Sequence, residues 1–145
     1  MASVANDGLV RMKGWGETGR GAAARLLLRE LVDMLDKLLR LDEPGHIDLR
    51  AKELDEDDYA LLHQTLGEGE IMAQVTNFGR VTVLESGYAG IWWITHMDEA
   101  GQVLSEFLEV SYCPEVLIAE TETVADGYDA LRAHLFEMGM ADKHG

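Results

Sequence analysis

The chain has one cysteine, Cys113, and only two prolines among its 145 residues. A lone thiol excludes an internal disulfide and any zinc site built on paired CxxC thiolates, so the expected compartment is a reducing one, the cytoplasm. Long apolar runs are also missing. Residues 1 to 21 hold no segment of signal-peptide length, and the first leucine run, Leu26 to Leu28, is closed by Arg25 and Arg29. The expectation is therefore a chain with no membrane span and no export signal. Basic residues are scarce: 12 Lys plus Arg stand against 27 Asp plus Glu, a formal charge of −15. Such a field repels a phosphate backbone and argues against nucleic-acid binding. Two uses of the charge stay open, plain solubility or attraction to a partner with a basic surface.

Motifs that carry catalysis are equally sparse. Of five histidines, His46 lies in a Pro-Gly turn, His63 and His134 fall on separate helical patterns, His96 on a strand pattern and His144 in the tail. No HxH, HxxxH or HExxH spacing occurs, so neither a metal nor an acid/base pair is expected from them. There is no GxSxG, no phosphate loop, and no GxGxxG between a strand and a helix. The run Gly67-Glu68-Gly69-Glu70 has two glycines, but its carboxylates would repel a phosphate. Cys113 precedes an expected helix start, which can make a thiol reactive, although an isolated cysteine more often packs inertly. The enzymatic alternatives are a thiol chemistry at Cys113 or an acid/base pair of Glu85 with His96. The main expectation is no catalytic residue, no cofactor and no metal.

What is present is a clear change of period along the chain. The first 19 residues, with four glycines between Gly8 and Gly19, read as a flexible arm, and residues 20–145 as one domain. Ala24, Leu27, Leu28, Leu31, Leu35 and Leu38 recur at three- and four-residue spacing, which predicts an amphipathic helix of about twenty residues ending before Pro44-Gly45. Ile47 to Leu49 is read as short and extended. Asp55 can cap a second helix whose first turn holds Glu56, Asp57 and Asp58, with Gly67 as its stop, so that acidic cluster is explained by capping before any partner role. From Glu70 to Val110 the period becomes two, with turns near Asn77 to Gly79, Ser86-Gly87 and Asp98 to Gly101. Four strands follow, at about 70–76, 80–85, 90–97 and 102–110. Pro114 can open a helix through about Glu120, and a last helix runs from about Val124 to Met138 with Leu131, Leu135 and Met138 on one side. The fold class expected is α+β: a four-stranded antiparallel meander with helices mainly on one face and the other face open.

The ordered motifs Ile47-Asp48-Leu49-Arg50, Leu66-Gly67-Glu68-Gly69-Glu70-Ile71, Glu85 followed by Gly90-Ile91-Trp92 and Ile94, and Leu108-Glu109-Val110 with Pro114 resemble one known family. It is the C-terminal region of the HupH/HyaF/HoxQ hydrogenase expression and formation proteins, whose members are often longer. The resemblance implies a cytoplasmic accessory factor of [NiFe] uptake hydrogenase that acts on the hydrogenase small subunit, together with a thioredoxin-like accessory protein, and it implies no catalytic residue. Trp92 and Trp93 are adjacent on a strand and must point to opposite faces. The family pattern has a polar residue where Trp93 stands, which implies that Trp92 and Ile94 face the helices and Trp93 faces out. The expected partner contacts are Trp93, Glu68, Glu70, Glu85 and Tyr88. An acidic adaptor that blocks a basic partner is the alternative, and a homodimer through the open sheet is the further possibility.

Overall fold

The computed structural model describes residues 19–76 and 79–140. Residues 1–18 of the expected N-terminal arm, Asn77 and Phe78 of an expected turn, and residues 141–145 of the tail lie outside the described residues. The chain separates into two compact units, a first that reaches Pro114 and a second that begins at Glu115.

Helix α1 spans Ala22–Leu41 and buries Ala24, Leu27, Leu31 and Leu38, which are four positions of the predicted stripe. It ends where Asp42 turns into the left-handed region, two residues before Pro44. Helix α2 spans Glu56–Leu66 and starts with the expected cap, in which Asp55 accepts from the Asp58 amide while the Asp58 carboxylate accepts from the Asp55 amide. The second oxygen of Asp58 does something the spacing does not reveal: it accepts from the Ala24 amide at 3.0 Å. Gly21, at the start of α1, has no side chain to cap with, so α2 supplies the missing acceptor. Outside this buried link, Arg20 forks onto Asp57 at 2.9 and 3.0 Å, and the guanidinium holds the Asp57 carboxyl below its ordinary range.

Among the described residues the sheet has five strands, not four: β1 Gly45–Asp48, between the two helices, then β2 Met72–Thr76, β3 Arg80–Glu85, β4 Ile91–Met97 and β5 Val103–Val110. The last four form the expected meander, and β1 adds to the free edge of β5, so the antiparallel sheet is ordered β1-β5-β4-β3-β2. The short β1 has one buried side chain, Ile47, and its pairing partner lies about sixty residues away, a pairing that no local pattern can signal.

The first face of the sheet carries α1 and α2. Ile47, Ile91, Trp93, Leu108 and Val110 pack there against Leu27, Leu31, Leu38, Leu62 and Leu66. Trp93 is thus on the helix side, reversing the expected orientation. Its exposure is 7%, its ring stacks on His63 of α2 at 4.0 Å between centroids, and its indole N–H donates to Glu106 at 2.8 Å. Tyr59 of α2 reaches the other oxygen of the same carboxylate at 3.3 Å. Glu106 therefore ties α2 to the middle of β5. Burial, followed by the neighbouring Glu106 charge, holds the Tyr59 hydroxyl above its ordinary pKa.

The second face is not the open plane expected. Trp92 lies there with Val83 and Ile94, all three buried, and Ala73, Val81 and Phe107 pack around them. The helix expected after Pro114 is one 3-10 turn, Glu115–Leu117. The last helix, α3, spans Thr121–Glu137 and buries no residue.

Two outcomes follow from this packing. Asp58→Ala leaves the buried Ala24 amide without an acceptor and should lower unfolding free energy by about 1 to 3 kcal/mol, whereas Asp57→Ala, at an exposed ion pair, should cost much less; urea denaturation compares them. A raised folded pKa means that the unfolded chain loses the Tyr59 proton first, so this stabilisation is complete below pH about 10 and declines above it. The urea midpoint of the wild type should then fall more steeply above that pH than the midpoint of Tyr59→Phe.

Candidate functional site

While Arg50 of the first motif piece reaches the Val103 carbonyl at the start of β5, the later pieces, around 66–71, 85–92 and 108–114, meet at one end of the sheet. There α2 ends and β2 begins, β3 ends, β4 begins and β5 ends. The C-terminus of α2 is closed by Gly67, at φ 61°, whose amide donates to His63. The chain then crosses the end of β3 in direct backbone contact. The Gly69 amide donates to the Glu85 carbonyl at 2.7 Å, and the Gly87 amide to the Leu66 carbonyl at 2.7 Å. One oxygen of the Glu85 carboxylate accepts from the amides of Glu70 at 3.0 Å and Ile71 at 3.3 Å. A side chain at position 69 has no room, because its Cβ would lie 2.4 Å from the Ser86 carbonyl and 2.5 Å from that carboxylate oxygen. The two glycines of the Gly-Glu-Gly-Glu run thus have distinct roles, a left-handed turn at Gly67 and a close approach at Gly69.

A second knot closes the same end from the other side. The Ser86 hydroxyl bridges the carbonyl and amide of Tyr88 at 2.9 and 3.1 Å, which fixes the turn between β3 and β4. Gly90 accepts from the Ser111 amide at 2.9 Å. The Ser111 carbonyl takes the Trp92 indole N–H at 3.0 Å, and the Ser111 hydroxyl donates to Glu109 at 2.8 Å. Ser86, Glu109 and Ser111 are buried polar residues satisfied by this arrangement.

Around this frame stands an exposed rim. Glu68 and Glu70 are exposed, as are Ile71 (48%), Tyr88 (53%) and Tyr112 (64%). Of the five residues singled out by sequence, the structure brings Glu68, Glu70, Glu85 and Tyr88 to this end. Glu85 belongs to the frame, with one carboxylate oxygen occupied by loop amides. Trp93 is elsewhere, in the core beneath α2, so replacing it would remove core packing and not an outward anchor. Sequence reasoning missed Tyr112 and the Ser86 and Ser111 pivots; the serine-glycine pair at 86–87 and the polar residue closing β5 are the signals that point to them.

The groups named for catalysis do not converge. Val81 faces His96, and Glu85 lies four residues farther along β3, about 13 Å away at roughly 3.3 Å per residue. Ser105 also faces His96, and Val110 is five residues farther along β5, about 17 Å away on the same rise, with Cys113 beyond it. Cys113 is exposed, and its sulfur lies 3.8 Å from the carbonyl of its neighbour Pro114. Among the described residues no group of three or more His, Cys, Asp or Glu is placed to hold a metal ion, and no helix is long and apolar enough to cross a membrane.

Residues 22–138 match the family described as HupH hydrogenase expression protein, C-terminal conserved region. The chain belongs to this family. It is 34% identical over 94 residues to the hydrogenase expression/formation protein HoxQ of Cupriavidus necator, covering 65% of this chain and 32% of that protein. To HupH of Rhizobium leguminosarum bv. viciae it is 33% identical over 91 residues, 61% of this chain and 32% of the relative. The chain thus spans about a third of the length of these relatives. The solved structure of hydrogenase expression protein HupH from Thiobacillus denitrificans is similar with a TM-score of 0.77 and 34% identity, covering 82% of this chain and 99% of that one. The HupH-like motifs around 66–71, 85–92 and 108–111 supply the residues that build the frame.

The frame makes a steric prediction. Gly69→Ala should destabilise the domain by about 1 to 3 kcal/mol because backbone must shift to admit one methyl group, while Gly101→Ala, at a left-handed turn with open space, should cost only the smaller strain of a positive φ. Thermal unfolding of both variants measures the difference.

Proposed function

We infer that this protein is an accessory factor in [NiFe] uptake hydrogenase maturation that binds a client polypeptide at the motif-bearing end of its sheet. The relatives it matches are hydrogenase expression/formation proteins, and the groups that could perform chemistry stand apart. The observation that carries the reading is that motif residues at 66–71, 85 and 90–91 are engaged in backbone-to-backbone and carboxylate-to-backbone bonds. They hold Glu68, Glu70, Tyr88 and Tyr112 outward on a fixed support.

Two exposed tyrosines beside two free-standing carboxylates favour a peptide segment with apolar side chains and basic flanks. Tyrosine supplies a large, rigid contact area, and the carboxylates select the sign of the charge. The client proposed is the immature hydrogenase small subunit, with a thioredoxin-like accessory protein as a second partner and the cytoplasm as the place of action. No reaction is assigned to the domain itself: it holds and hands over.

Affinity capture with the cluster-free small subunit should recover the wild-type protein. Tyr88→Ala, at an exposed turn position, should fold normally and weaken capture by about 1 to 3 kcal/mol, whereas Cys113→Ser should bind and support maturation like the wild type. Undiminished capture by Tyr88→Ala combined with Tyr112→Ala would remove this surface from consideration, and loss of maturation with Cys113→Ser would revive a thiol mechanism.

A further inference from the structure

The second unit contains the most conspicuous unused surface of the molecule. Helix α3 runs for 17 residues, about 25 Å at 1.5 Å per residue, without burying one of them. Five larger apolar residues of α3 and its C-cap are nevertheless ordered, with Phe136, 74% exposed, off their line. Val124, Tyr128, Leu131, Leu135 and Met138 recur at spacings of four, three, four and three. That average of 3.5 gives a single narrow seam, the pattern of a helix packed along another helix, whereas a helix lying on a sheet or core uses a wider face. Val124, Tyr128, Leu131 and Met138 are each exposed by 58% to 61%.

A second feature points the same way. Gly127 sits in the interior of α3, where glycine weakens a helix relative to alanine. A Cβ at that position would meet nothing within 4 Å among the described residues, so no described contact calls for its absence. Gly127 and Ala125 both border the seam, where small residues let a second helix backbone come close.

Charge selects the occupant and its direction. The first half of the helix region carries Glu120, Glu122, Asp126 and Asp129 with no basic residue, and the second half carries Arg132 and His134 with Glu137. A parallel pair of identical helices would set the acidic halves side by side, at a repulsive cost. An antiparallel pair sets each acidic half beside the half bearing Arg132 and His134, and also opposes the two helix dipoles.

We propose that α3 is a self-association element: two copies of the chain pair through antiparallel α3 helices in a symmetric dimer. In that register Val124 packs opposite Leu135 of the partner subunit, and Tyr128 opposite Leu131 of the partner subunit, so the four seam residues within α3 are each covered once by symmetry, while Met138 at the C-cap falls beside the helix start. One helix pair of this length buries less than the roughly 1,200 to 2,000 Å² of a standard stable interface. The dimer is accordingly a weak one, in exchange with monomer at micromolar concentration, unless the exposed Val116, Leu117 and Ile118 ahead of α3 extend the contact.

Sedimentation velocity of the full chain over a concentration series tests this. The expected result is a reversible shift from monomer to dimer mass, abolished by Leu131→Glu and unchanged by Ala133→Glu, which lies on the opposite side of α3. Orientation is read by oxidising cysteine variants made on Cys113→Ser: a mixture of Val124→Cys and Leu135→Cys chains should yield the mixed disulfide. A chain that stays monomeric through the hundreds of micromolar overturns the proposal, as does a dimer that survives Leu131→Glu with intact circular dichroism. Disulfides formed only between like variants would overturn the antiparallel arrangement. Because Tyr88 and Tyr112 lie in the first unit, client capture that persists with Leu131→Glu separates this proposal from the proposed maturation role.

Discussion

The carboxylate of Glu85 is the constraint on which the rest of the site depends. It stands at the end of β3, and by accepting two successive amides of the strap after α2 it fixes where β2 begins. Without that acceptor the two exposed backbone N–H groups would turn to water, so what is lost is the fixed position of the strap more than a desolvation penalty. The strap fits only because position 69 has no side chain, so carboxylate and glycine act as one device. The same crossing sets the exposed Glu68 and Glu70 on either side of a backbone that is anchored to the sheet.

A comparable division of labour runs through the two tryptophans. Trp93 and Trp92 occupy opposite faces, yet each indole N–H is satisfied, one by Glu106 and the other by the Ser111 carbonyl. Each indole therefore combines a large apolar burial with one directional bond, the combination that buried tryptophan requires. Trp93 positions α2 through Glu106 and His63; Trp92 positions the end of β5 through Ser111. The helix layer and the motif-bearing end are in this way fixed to neighbouring residues of one central strand.

Much of this was legible in the sequence wherever the determinants are local. The α1 stripe, the Asp55 cap with its acidic first turn, the Gly67 stop and the four meander strands follow from spacing within a few residues. The features that escaped depend on partners far along the chain. Strand β1 needs β5 to exist at all, and the outward role given to Trp93 failed because two adjacent apolar residues do not reveal the phase of a strand. The deciding groups, His63 and Glu106, come from other elements. Glu85 stands at a strand end as the sequence suggests, and only the crossing strap shows that one of its carboxylate oxygens is engaged within the chain. The 3-10 turn at Glu115–Leu117 replaces an expected helix because propensity after Pro114 is not supported there by any buried side chain.

The proposed client binding rests on the bonded support that the strand ends and the strap after α2 form together. The most direct test is backbone hydrogen exchange of the full chain with and without the cluster-free hydrogenase small subunit. Slowed exchange on complex formation is expected at residues 68–71, 88–90 and 111–113. A complex that forms while leaving those segments unchanged, with protection confined to β1 or the far turns of the sheet, would contradict the proposed client binding.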